Sequence, residues 1–275
     1  MRYHAVNIAT MLMVLFMMRA ASEVTEQPDE TKGGSPAVKN PAPKKTATRK
    51  NLKMPGLVIN LEKRCVDVEG VVSLDEGMLE LVACTRGGKD HESIITLLAR
   101  PLHIHTALIA LGARNGNPAM HRQVGEQDRR WVYVPQRGDP IEVYLVLKNK
   151  EGKDVEHPIS DFVSRTENGY DGGDGDEDGK VERFPHTFLF AGSQLVKNEQ
   201  GKHQYLADLS GNVISISTFG DEVLCLPGTH SKENDALVWE VNAKKLPKVG
   251  SNVILRLRSE DNGDLKLHKA SSKND

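Results

Sequence analysis

Residues 84–112, CTRGGKDHESIITLLARPLHIHTALIALG, decide how the fold is read, because a proline divides the stretch into two segments that both carry apolar residues at helical spacing. Asp90 is placed to cap a first helix by accepting from the amides of Glu92 or Ser93, and Ile94, Ile95, Leu97 and Leu98 supply its apolar face. Pro101 stops that segment and suits the first turn of a second one. There Ile104, Leu108 and Leu111 lie along one stripe and Gly112 ends it. The stretch predicts a helical hairpin.

Outside it the pattern is strand-like. Ile141, Val143, Leu145 and Leu147 alternate with Glu142, Tyr144, Val146 and Lys148; Val253, Leu255 and Leu257 alternate with Ile254, Arg256 and Arg258. Further short strands are expected at 57–61, 66–72, 79–84, 131–135, 187–196, 205–209, 213–218 and 237–241, with a bulge at Gly192 and a hairpin turn at Gly211. Connections too short for crossover helices favour antiparallel pairing. The expected class is α+β: a mainly antiparallel β-sheet with one helical hairpin packed against it.

An apolar share of 38% in 275 residues implies segments that contribute little to a core. Residues 1–22 read as an export signal: Arg2 and His4, an apolar run from Ala5 to Met18, then Ala20, Ala21 and Ser22 for cleavage. The run falls short of the roughly 20 residues that span a bilayer, so membrane association is expected only through this signal. Residues 23–54, rich in Pro and Lys, read as a disordered linker, 55–258 as one domain and 259–275 as a polar tail. The chain is expected to work outside the cytoplasm, in the periplasm or beyond. A net charge of -2 gives no footprint for nucleic acid. Cys65, Cys84 and Cys225 are too few for an iron–sulfur cluster.

The polar groups of the opening stretch invite three chemistries. Gly87-Gly88-Lys89 resembles a phosphate cradle, but Ala83 stands where a P-loop needs its first glycine and Asp90 follows the lysine. A tight turn is the better reading. His91 and Glu92 with His103 or His105 give two imidazoles and a carboxylate, a set for zinc or iron(II). Residues two apart on a helix point about 200° from each other, so only one of the later histidines joins such a set. Cys84 at a helix start, with His91 as base, is the candidate for covalent catalysis. Ser193 and Asp208 are added by residue type as possible pocket lining.

A separate signal lies at 174–182. Asp174, Asp176, Asp178 and Gly179, with the Lys180 carbonyl and Glu182, match the calcium loop D-x-D-x-D-G until Pro185 takes the place of its bidentate glutamate. An acidic, glycine-rich surface insertion is the preferred reading, and calcium is the candidate ligand if the loop binds one.

Gly88-Lys89, His91-Glu92-Ser93, His105 with Ala107-Leu108 and Leu111-Gly112, Phe190 with Gly192-Ser193, and Ala207-Asp208 with Gly211 and Val213-Ile214-Ser215 together resemble the YdjY-type domain of exported proteins from planctomycete-like bacteria. The resemblance spans Pro55 to Arg258 and implies one domain in an extracytoplasmic setting. It assigns no reaction and no catalytic residue. Some relatives carry a ferredoxin-like label that the cysteines here do not support, and residues 171–182 look like an insertion. The leading expectation is a binding or interaction module for an unidentified ligand or protein, with Lys89, His91, Glu92, His105, Ser193 and Asp208 as candidate ligand residues. The alternative is a metal-dependent enzyme using His91, Glu92 and His105.

Overall fold

Ile94, Ile95 and Thr96 are β-branched, and that preference prevails over the helical spacing. A computed structural model of the chain describes residues 51–125, 129–166, 183–233 and 236–259, and in it Ser93–Leu97 is a strand buried at all five positions. Burial on both faces turns a strand into a continuous apolar run that spacing alone does not separate from a helix. The expected helical hairpin is therefore corrected to one strand and one helix.

Eight strands close into a barrel: β1 (Cys65–Val72), β2 (Leu81–Thr85), β3 (Ser93–Leu97), β4 (Pro140–Lys148), β5 (Thr187–Phe190), β6 (Asn212–Ser215), β7 (Leu224–Cys225) and β8 (Asn252–Ser259). Their order around the ring is β1, β8, β4, β5, β7, β6, β2, β3 and back to β1. Strands hold 45% of the described residues against 14% helical, so the α+β class gives way to a mostly β barrel. The α-helices among the described residues are α1 (Pro101–Ala110) and α2 (Leu206–Ser210). α1 and its stop at Gly112, whose φ is +94°, are as the sequence predicts. The strand expected at 205–209 is instead the end of a strand followed by α2, and Gly211 caps that helix in the left-handed conformation rather than turning a hairpin.

Closure takes place at Gly70, which pairs with Leu97. A Cβ there would stand 2.7 Å from Ile95 Cγ2, so only glycine lets β1 and β3 meet at this register. β4 and β8 alternate as expected: Ile141, Val143, Leu145, Val253, Leu255 and Leu257 face the core. α1 adds Ile104, Ala107 and Leu108 to the same cluster.

Two ring contacts are parallel, β2 with β3 and β6 with β7. Parallel neighbours usually need a crossover of a dozen or more residues. Here the chain returns through 86–92 and through 216–223, each short enough to suggest an antiparallel hairpin in sequence. Because β2 and β6 pair with each other, both returns lie beside the same two strands. That is how residues distant in sequence come together.

Candidate functional site

In the first return Gly87 adopts φ +80° and turns Lys89 back toward the start of β2. Lys89 Nζ donates to Glu80 Oε2 at 2.6 Å and to Glu92 Oε2 at 2.9 Å, and lies 5.2 Å from the centre of the Phe219 ring in the second return. Burial, reinforced by the neighbouring Glu92, raises the Glu80 carboxyl above its ordinary range. Burial also disfavours ionised Glu92, but the Lys89 ammonium outweighs it and holds Glu92 low. A proton taken up by this pair therefore sits on Glu80. His91 stands at the edge, its side chain 78% exposed and Nε2 3.7 Å from Glu92 Oε1.

Lys89→Met leaves the Glu80 carboxylate buried without its cation. Because Lys89 is a third exposed, the loss expected near neutral pH is about 1–3 kcal/mol, below the full range for breaking a buried pair. Without Lys89 both carboxyls titrate higher in the folded state, so the folded variant binds extra protons. Its deficit should be full at neutral pH and shrink as pH falls toward the carboxylate range. Urea titrations of both proteins across that window check it; a deficit constant with pH would refute the assignment.

Cys84 is fully buried and its Sγ donates to Asp90 Oδ1 at 3.3 Å. Burial pushes the thiol up to about 11, so it is protonated at neutral pH and is no thiolate nucleophile.

Ser193, His105 and Asp208 form a second cluster, joined to the first through the second return. Gly192 and Ser193 take φ +82° and +54°. Ser193 N–H donates to Glu222 O, its hydroxyl donates to Asp221 O at 2.5 Å, and the same oxygen accepts from Ala207 N–H at 3.0 Å. The hydroxyl's proton is spent on structure. Gln194 Nε2 donates to Gly220 O, next to Phe219. His105 Nδ1 lies 3.1 Å from Gly192 O and 2.9 Å from the Tyr205 hydroxyl, which itself donates to Gly192 O. Burial lowers the His105 pKa, so the ring is neutral with Nδ1–H as donor. Asp208 accepts from Leu102 N–H at 3.0 Å and pairs with Arg100, capping α1 from α2. Beneath them Glu222 is wholly buried; its Oε2 accepts from Gly220 and Asp221 N–H while Oε1 has no partner, and burial raises its carboxyl.

The structure thus joins Lys89 with Glu92, and Ser193 with the start of α2, but does not assemble His91, Glu92 and His105. Among the described residues no group of three or more His, Cys, Asp or Glu is placed to hold a metal ion. Asp174, Asp176, Asp178, Lys180 and Glu182 lie outside the described residues.

A hairpin between α1 and β4 leaves large side chains exposed. Met120–Val124 pairs with Arg130–Val134, with Gln123 opposite Trp131 and His121 opposite Tyr133. Trp131 is 67% exposed, Tyr133 43% and Val132 39%. The Tyr133 hydroxyl contacts Thr229 Oγ1 at 2.8 Å and Gln136 Oε1, and Gln136 Nε2 donates to Leu226 O and Gly228 O, so the root is fixed to the barrel. Arg122, Arg129, Arg130 and Arg137 have no carboxylate partner among the described residues, whereas Arg100, Arg114, Arg256 and Arg258 are all paired. From sequence, 131–135 is expected only as a short strand. The run RRWVYV carried the missing signal, since alternation should have buried one of its faces. Glu80 was missed because a glutamate between Leu79 and Leu81 reads as the solvent side of a strand.

A family model described as the YdjY domain matches residues 57–258. No curated protein and no solved structure matches the chain.

Proposed function

The chain belongs to the YdjY domain family, and we propose that it acts as a binding module that engages an anionic partner through the Met120–Val134 hairpin. The observation that carries this reading is the exposure of Trp131, Val132 and Tyr133 on one hairpin whose arginines have no carboxylate partner among the described residues. Trp, Tyr and Arg are the residues that dominate binding hot spots, and a fixed root keeps down the ordering cost of association. The Lys89 cluster is less suited to the role, because its cation is already neutralised by Glu80 and Glu92.

Retention of the full chain on a dextran sulfate column should fall with salt, and Arg129→Ala/Arg130→Ala should elute earlier at unchanged melting temperature. Elution of this variant together with the parent would sink the proposal. Surface substitutions of this kind change stability by no more than about 0.5 kcal/mol, so a fold defect is separable from a binding defect.

A further inference from the structure

Resting on that binding reading, we infer that the Trp131 face of the hairpin takes an acidic polysaccharide, its sugar rings stacking on Trp131 and Tyr133 and its carboxylate or sulfate groups pairing with arginine. Side chains on a strand alternate between faces, so residues 131 and 133 share one side, and the cross-strand pairs add His121 and Gln123 to it. His121 and Tyr133 have ring centres 5.6 Å apart, which confirms the shared face. Alternate residues on a strand stand about 6.6 Å apart. Trp131 and Tyr133 therefore present two aromatic surfaces along one side of the hairpin.

The polar company of the two aromatic rings favours sugar. A pyranose offers an apolar face of C–H groups and a rim of hydroxyls. The aromatic faces receive the first, while the Gln123 amide and the His121 ring, exposed beside them, pair with the second. Arg129, exposed just ahead of the strand, brings a guanidinium that pairs bidentately with a carboxylate or sulfate. Arg122 and Arg130 project from the opposite face with Val132 and Val124. They add attraction for the polyanion without touching its rings.

The test uses the full chain and calorimetric titration with polygalacturonate, neutral dextran, single-stranded oligo(dT) and vesicles containing phosphatidylglycerol. Polygalacturonate should bind in preference to the other three. Trp131→Ala should weaken that binding by about thirtyfold, the size of a strong hot spot, at unchanged melting temperature. Trp131→Phe should recover most of it, because a ring face is kept. Trp131 and Trp239 are the two tryptophans of the chain, and Trp239 is buried, so the fluorescence change on binding should vanish in Trp131→Ala. Equal or tighter binding of oligo(dT) or vesicles, or insensitivity to Trp131→Ala, overturns the polysaccharide assignment while retention on dextran sulfate still supports an anionic partner. Loss of that retention as well would remove both readings.

Discussion

Arg256→Met is expected to destabilise the barrel by about 2–4 kcal/mol near neutral pH. Leu255 and Leu257 face the core, so Arg256 projects from the outer surface of β8, yet it is only 8% exposed. Asp67 on β1 receives Nε and Nη2 at 2.6 Å each, and Glu156 receives Nη1 at 2.6 Å. Arg258 holds the same Glu156 through Nη2 at 2.5 Å. Glu156 belongs to Asp154–Pro158, which pairs along the far side of β4. One guanidinium therefore ties four neighbouring strands, from β1 across β8 and β4 to the strand beyond.

Methionine keeps the apolar stem and removes the charge, which leaves Asp67 without its bidentate partner and Glu156 with Arg258. Both carboxylates keep some exposure, so the cost lies below the upper range for a stranded buried ion. Burial alone would raise the Glu156 pKa, but Arg258 and Arg256 prevail and lower it. A lowered folded pKa contributes stability above the unfolded value and loses it as pH falls. The gap between the two proteins should therefore narrow in acid. Adding Asp67→Asn to Arg256→Met should restore part of the loss, because the pair is coupled. Urea unfolding of the three variants decides it, and a difference under 1 kcal/mol at neutral pH would contradict the clamp.

The same arginine shows how far the sequence could be read. Alternation in 141–148 and 253–258 gave the core faces of β4 and β8 correctly, because a strand with one wet face leaves a period of two. It placed Arg256 outward but could not show that outward meant covered, since Asp67 and Glu156 are distant in sequence. Ser93–Leu97 failed for the opposite reason. A strand buried on both sides has no period, and Asp90 stood where a helix cap belongs. Asp90 is instead engaged by the Cys84 thiol, while Lys89, not a capping residue, precedes the 3-10 turn 90–92. The short parallel returns hid the site as well, because Glu80, Lys89 and Phe219 meet only through the β2–β6 pairing. Ser193 and Asp208, chosen by residue type, do lie with the start of α2, though as structural bonds. Exposure of Trp131 depends on the hairpin standing off the barrel, which its composition does not state.

Gly138→Ala should cost at least about 3 kcal/mol, from backbone strain plus an overlap that cannot relax. Gly138 has φ +157° and sits in the short pairing of Arg137–Gly138 with Asn115–Asn117, at the root of the hairpin. A Cβ there would overlap the backbone carbonyl of Phe190. Phe190 cannot retreat: its side chain is fully buried, it pairs with Leu224 of β7, and its N–H donates to Asp139 O at 2.9 Å. The strand that Gly138 leads into is β4, so displacement at this point disturbs the barrel and the hairpin together.

Gly152→Ala is the control. Gly152 has φ +75° but open space where the Cβ would go, so it should lose only the strain, about 1 kcal/mol. Thermal and urea unfolding of both variants separate the two contributions, and similar losses at 138 and 152 would mean that β5 yields to the new methyl group. If Gly138→Ala still folds, its Trp131 should report a displaced hairpin through altered fluorescence and weaker retention on dextran sulfate, whereas Gly152→Ala should match the parent in both. Stability and binding would then fail together at Gly138, as expected where the hairpin root and a barrel strand press against the same carbonyl.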